Sequence, residues 1–161
     1  MVRIENLQEK KLIGMSKEMS FMNDKTFELW NGFMKKHSNI KNRVDSNFIS
    51  MNVYGKKHTP DTEFEKWAVV EVTDFDDVPN EMLTYVLQGG LYAVFIHKGP
   101  ANAFHLTQQY IFEKWLPSSQ YELDHREHFE VLKKNYRPDD PNAEEEVWIP
   151  IKPKNNESKN R

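Results

Sequence analysis

The chain has 161 residues and no cysteine, and its 25 acidic against 22 basic side chains leave a formal net charge of −3. That length suits one domain with a buried core, while the lack of thiols excludes disulfides, thiolate metal sites and cysteine nucleophiles. Without a basic excess, direct nucleic-acid binding is not expected; no apolar run reaches the roughly 18 to 20 residues of a membrane span, and the opening MVRIENLQEKK lacks a signal core, so a cytoplasmic protein without membrane contact is expected.

In chain order, an opening strand is predicted between residues 4 and 19, where Ile13, Met15 and Met19 share parity. Asn23 and Asp24 then supply cap oxygens for a helix with Phe27, Trp30, Met34 and His37 as its stripe, and Lys35, Lys36 and His37 suit its C-terminal end. Residues 47–54 alternate with period two, Ile49, Met51 and Val53 against Phe48, Ser50, Asn52 and Tyr54, and read as a strand. A polar loop with Pro60 leads to a second strand over 65–73, where Val70 and Val72 oppose Trp67, Val69 and Glu71. Beyond a turn region with Asp74, Asp76, Asp77 and Pro79, the order repeats. A strand over 90–97 is followed by Gly99-Pro100, which opens a helix with Phe104, Thr107, Ile111 and Trp115 on one stripe and Pro117 at its end. Strands over 128–132 and 145–151 close the series. The expected fold is therefore α+β: duplicated strand-helix-strand-strand halves, an antiparallel sheet with two helices on one face, and a ligand cleft on the other. One domain over 1–152 is expected, with halves at about 1–75 and 82–152, and a tail, 153–161, free to fray.

Aromatic residues make up 12% of the chain, 4 Trp, 6 Tyr and 10 Phe, against an overall hydrophobic share of 38%. Such a surplus serves a core and also suits a concave site for flat apolar ligands. Parity says where that site would lie, because a strand sends alternate side chains to opposite faces. If Val147, Ile149 and Ile151 face the helices, then Glu146, Trp148 and Pro150 face away; with Phe129 and Val131 inward, His128, Glu130 and Leu132 look out. The same logic turns Phe48, Tyr54, Trp67 and Glu71 away from the helices. A groove holding Phe48, Tyr54, Trp67, Trp148, Glu71, Glu130 and Glu146 is expected there. An acid among rings is partly desolvated and rewards a cation or hydrogen-bond donor, and each ring adds about 0.5 to 2 kcal/mol of cation–π attraction. A glutamate on a strand also reads as solvated surface, and Trp30 and Trp115 as core.

Other chemistry finds little support. His125, Glu127, His128 and Glu130 cluster without the spacing of a helical zinc motif, so no metal is expected. Gly89-Gly90 is a turn and no phosphate loop, and no nucleophile elbow occurs. No cofactor is expected.

The strings LYAVFIHKGP at 91–100, a helix running into Lys114, Trp115, Leu116 and Pro117, then His128-Phe129-Glu130, and EVWIPIK at 146–152 resemble the effector-binding domains of gyrase-inhibitor-like proteins. The likeness covers roughly residues 85–152 and extends to the effector halves of AraC- and MerR-type transcription activators. It implies a duplicated strand-helix-strand-strand fold whose central cleft takes up small molecules, often lipophilic cations, against a buried glutamate and aromatic rings. Glu146 and Glu130 match the two family glutamates, and Glu146 is the preferred central acid because Trp148 shares its face. Leu132 stands where the family often shows a tyrosine, which weakens Glu130. A small-molecule sensor or sequestering protein is the first expectation. The alternatives are a hydrolase of reactive toxin-like molecules, with Glu146 as general base aided by Tyr54 or Tyr92, and an inhibitor that docks on a protein partner such as gyrase through an edge strand. Oligomeric state is not legible in the sequence.

Overall fold

In the computed structural model, which describes residues 2–55 and 59–155, the opening run divides into β1 (Val2–Leu7) and β2 (Lys10–Met19). Helix α1 (Thr26–Met34), β3 (Phe48–Val53) and β4 (Phe64–Val72) follow. The second half begins with β5 (Leu83–Leu87) and β6 (Gly90–Lys98). Its helix starts as α2 (Phe104–Gln109), widens into a π-helical segment (Tyr110–Trp115) and ends in a last turn, α3 (Leu116–Ser118). Strands β7 (Tyr121–Leu123), β8 (His128–Leu132) and β9 (Glu144–Pro153) complete it. The two strand-helix-strand-strand halves are present, and β1, β5 and β7 are additions to them. Residues 156–161 of the expected tail lie outside the described residues.

Every pairing is antiparallel, in the order β1-β6-β9-β8-β3-β4-β2-β5, with β7 on the far end of β9. The halves join edge to edge where β3 meets β8, which sets Ser50 opposite Glu130 and Asn52 opposite His128. Strands β1 and β5 are exchanged: β1 pairs with β6 of the second half, and β5 pairs with β2 of the first. In a flat sheet β5 and β6 would stand about 29 Å apart at the usual strand spacing. Gln88 and Gly89 alone connect them, a link that reaches about 11 Å at most. The same holds for β1 and β2 across Gln8 and Glu9, so the sheet must curl until its ends meet. Gly89, at φ +90°, sits at the meeting point, where any Cβ would strike the Leu7 carbonyl oxygen.

Curling fills the face away from the helices. Leu12, Met51, Trp67, Leu87, Tyr92 and Trp148, drawn from six strands, pack there into one cluster. Two further clusters lie under the helices. Leu29 and Phe33 of α1 cover Ile13, Phe48 and Val70, while Ile111 of the π segment covers Ala93, Phe95 and Val147.

Three expectations are corrected. The buried stripe of α1 is Leu29 and Phe33, spaced four apart, and Phe27 is 82% exposed; Asp24, one residue before the N-cap Lys25, accepts from the Thr26 amide at 2.8 Å, as expected of a residue offering its oxygen to the first free amides. Strands β3 and β8 are turned over: Phe48, Ser50, Asn52 and Tyr54 face the helix layer, as do His128, Glu130 and Leu132, whereas Ile49, Met51 and Phe129 face the inside of the curl. Both faces of these strands are at least partly covered, so apolar alternation no longer says which one the helices cover. Finally, the helix-free face holds packed side chains in place of the expected cleft. Among the described residues, no helix is long and apolar enough to cross a membrane.

Candidate functional site

A concavity lies on the helix side, between the two helices, and has a volume of about 250 Å³, close to the low end of small-molecule sites at about 300 Å³. Its floor is the seam between the halves: Ser50 and Asn52 from β3, His128 and Glu130 from β8, Val147 and Ile149 from β9. Phe104, Gln108 and Phe112, each four residues on, form the wall given by the second helix. A regular α-helix would rotate such a series steadily off the cavity. The wider π turn, which encloses Phe112, counters that drift, and π segments recur at functional sites for such reasons. Phe21, in the loop after β2, and Tyr54, just beyond β3, supply the opposite wall.

Rings run across the cavity from one half to the other. Phe21 meets Phe64 at 5.0 Å between centroids, Phe64 meets Tyr54 at 5.1 Å, Tyr54 meets His128 edge-on at 5.0 Å, and His128 stacks on Phe112 at 6.4 Å. Such a series offers both faces and edges to a flat ligand.

Among the described residues, neither a hydrogen bond nor an ion pair reaches the Glu130 carboxylate; the half-buried residue lines the cavity, and burial raises its pKa against the opposing pull of Lys66. Glu145, 7% exposed, is a second acid on the same face, one step along the diagonal, since Glu130 pairs with Val147 and Leu132 with Glu145. Burial, and then the Glu130 charge, push Glu145 up to about 8, with Lys66 again opposing. Lys66 itself donates to the Thr26 hydroxyl at 3.3 Å, at the start of α1. Two carboxyls thus share a dry region without a salt bridge, which favours a bound positive charge or a donor.

The sequence-derived candidates divide between faces. Glu130 and Tyr54 line the cavity, and Trp148 borders it, although its indole stacks on Phe129 at 5.2 Å inside the curl. Phe48 lies under α1 against Trp30 and Phe33. Trp67 packs on Tyr85 in the curl and donates to Glu65 at 3.0 Å, and Glu71 is held by Lys10 at 2.9 Å. Glu146 also faces away from the cavity, where it accepts from Arg3 at 3.1 Å and from the Trp148 indole at 3.0 Å. Tyr92 is wholly buried in the curl and donates to the Glu127 carbonyl at 2.9 Å. Glu146 and Tyr54 therefore stand on opposite sides of the sheet. Phe21, Asn52, Phe104, Gln108, Phe112 and Glu145 are site residues that sequence reasoning missed. Asn52 had a signal there in the parity it shares with Tyr54, and Glu145 in the parity it shares with Val147.

Comparison with known proteins agrees with this architecture. A family described as the GyrI-like small molecule binding domain matches residues 1–152. The transcriptional regulator BrlR of Pseudomonas aeruginosa is 29% identical over 141 residues, 87% of this chain and 51% of that protein, so the chain spans about half the length of this curated relative. The structure of SAV2435 bound to tetraphenylphosphonium superposes with a TM-score of 0.76 at 12% identity, covering 94% of each chain. The C-terminal domain of EcmrR gives 0.74 at 13% identity, covering 96% of this chain and 98% of that one. At such identities the two structures establish a shared fold, while the family match spans both halves and the seam between them. On that ground the chain belongs to the GyrI-like small molecule binding domain family, a group related to the effector domains of transcription regulators.

Proposed function

We propose that the cavity between the helices binds lipophilic aromatic cations and that the protein acts as a sensor or sequestering module for them. The observation that carries this reading is Glu130, an acid with no salt bridge or hydrogen bond among the described residues and only the longer-range pull of Lys66, set on the floor of a cavity walled by Phe21, Tyr54, Phe104 and Phe112. A cation entering there compensates the carboxylate and gains ring faces at the same time, in a setting too dry for water to compete well. SAV2435, which shares the fold, has been seen with a cation of this kind, tetraphenylphosphonium. A hydrolytic role built on Glu146 lacks a comparable basis, because that acid is tied to Arg3 and Trp148 on the other side of the sheet.

The test is a titration with tetraphenylphosphonium beside neutral triphenylphosphine oxide, followed by calorimetry. The cation should bind at least tenfold more tightly, and Glu130→Gln should remove that advantage and leave the oxide unaffected. Glu146→Gln should change neither affinity by more than about twofold, the size expected for a group outside the site. Equal binding of the two compounds, or loss through Glu146 and not Glu130, overturns the reading.

A further inference from the structure

We propose that Glu145, which lies outside the cavity and does not touch the ligand, acts through Glu130 so that uptake of a cation expels one proton. The site then exchanges a proton for its ligand. The inference rests on the cation reading above and adds to it a second acid and a dependence on pH.

Charge counting is the starting point. Glu130 stands on the cavity floor, and Glu145 is its diagonal neighbour on the same face of the β8–β9 pair, where Glu130 is set against Val147 and Leu132 against Glu145. Such neighbours stand within about 7–8 Å at their Cβ atoms. Glu145 is buried and Glu130 half-buried, and among the described residues neither carboxyl has a hydrogen bond or an ion pair. Two anions so placed oppose each other's ionisation, and a carboxyl pair of this kind keeps one proton between its members. Lys66 is the one cation among the described residues whose charge acts on both. One lysine offsets one carboxylate, and the other stays protonated until a second positive charge arrives. Both acids are accordingly pushed up, by burial first and, for Glu145, then by Glu130.

The other titratable neighbours do not supply that second charge. His97, across β6 from Glu145, has both ring nitrogens engaged, with the Thr107 hydroxyl and the Pro100 carbonyl. The Tyr54 and Tyr136 phenols, which feel Glu130, are pushed up by burial and stay neutral. Lys17, beside Lys66 on β2, pairs with Glu28 at 3.5 Å. From the second helix, Phe104, Gln108 and Phe112 bring no charge to the cavity. His128 shares the floor with Glu130 and is the other cavity group of a type that titrates near neutral pH. When a lipophilic cation docks against Glu130, the carboxyl O–H bond breaks, the proton passes to water, and two carboxylates face Lys66 and the ligand. The region is neutral before and after. A neutral ligand brings no charge and leaves the proton in place. By linkage, affinity for the cation rises about tenfold per pH unit while the pair holds its proton, and levels off above about pH 8, where the pair is already ionised.

Tetraphenylphosphonium is the probe, since its own charge does not titrate, and triphenylphosphine oxide is the neutral control. Calorimetry near pH 6.5, in buffers of different ionisation enthalpy, should count roughly half to one proton released per cation and none with the oxide. Affinity for the cation should rise at least about fivefold over the next pH unit, with no such rise for the oxide. Glu145→Gln leaves Glu130 offset by Lys66 alone, so the cation should now bind without proton release and with a flat pH profile. A release that persists in Glu145→Gln comes from another group, His128 first, and overturns the inference. Cation binding without proton release in the unmodified protein does so too, and that measurement needs no variant. If the cation binds no more tightly than the oxide even near pH 9, the cation reading itself has failed; a Glu130-dependent preference that is the same at every pH sinks only the proton exchange.

Discussion

Glu145 illustrates how far a single side chain departs from its ordinary chemistry when a strand end is covered. It faces His97 across β6 and Leu132 across β8, with Glu130, Lys66 and Tyr136 as the other titratable groups that interact with it. His97 is already engaged, its Nδ1 at 2.6 Å from the Thr107 hydroxyl and its Nε2 at 3.1 Å from the Pro100 carbonyl, and so gives Glu145 no salt bridge. A carboxyl held at about 8 in the folded state, against 4.5 as its ordinary value, binds its proton more tightly folded than unfolded. Its contribution to stability is therefore complete below pH 4.5 and is lost as pH rises toward 8. A tenfold difference in proton affinity between the two states is worth about 1.4 kcal/mol, which for this size of domain is about 3–5 °C in Tm. Thermal denaturation should show the wild type losing at least that much between pH 5 and pH 8, and Glu145→Gln should flatten the decline; parallel curves would contradict it. This residue is within reach of the sequence. The row Val147, Ile149 and Ile151 marks the helix side of β9, and two positions earlier on the same row lies Glu145. Glu146 draws the eye instead because it shares a face with Trp148, and that face is the inside of the curl.

Elements are legible where a long aliphatic row marks one face, and ambiguous where the two faces carry comparable apolar residues. Strands β4 and β9 are oriented as expected, since their aliphatic rows run long enough to mark the helix side. Strands β3 and β8 carry apolar residues on both faces because they form the centre of a curled sheet, and local alternation does not rank two buried faces. Ser50, Asn52, His128 and Glu130 do share one side of these strands, as parity requires, so the composition of the cavity floor is readable while its position relative to the helices is not. Glycine makes the same distinction between crowded and open elements. At Gly14 in β2, a Cβ would collide with the Ala68 carbonyl of β4, whose backbone has no room to retreat. In α1, the nearest atom to a Cβ at Gly32 is the flexible Met15 Cε at 3.9 Å. Gly14→Ala should cost about 3 kcal/mol or more, at the upper end of overpacking effects, while Gly32→Ala should add about 0.5–1 kcal/mol through helix propensity. Urea denaturation of the two variants checks the contrast; a well-tolerated Gly14→Ala would mean that the β2–β4 approach is looser than the structure shows.

For the whole molecule, the exchanged strands matter more than the repeat. The order strand, helix, strand, strand is written locally in each half and can be read there. Which strand β1 or β5 pairs with is a long-range matter, and neither stands out in the sequence as a separate element. One faint mark exists: Leu-Gln occurs at 7–8 and again at 87–88, at the two links where the chain passes between halves. Arg126 reinforces the closure. It donates to the carbonyls of Gly89, Leu91 and Ile151, ties to Asp124 at 2.6 Å, and stacks over Tyr92 at 4.7 Å. Each half thus completes the other's outer edge and shares its seam with the other, and although each covers one face with its own helix, their faces inside the curl are buried against each other. Unfolding should accordingly be one transition, with calorimetric and van't Hoff enthalpies equal, and tryptophan fluorescence and far-UV circular dichroism should share a midpoint. Residues 1–80 expressed alone should stay unfolded, because β2 lacks β5 and β3 lacks β8. Two separable transitions, or a folded isolated half, would show that strand exchange does not bind the halves into one cooperative unit, and the cavity at their seam would then be free to open and close with the weaker half.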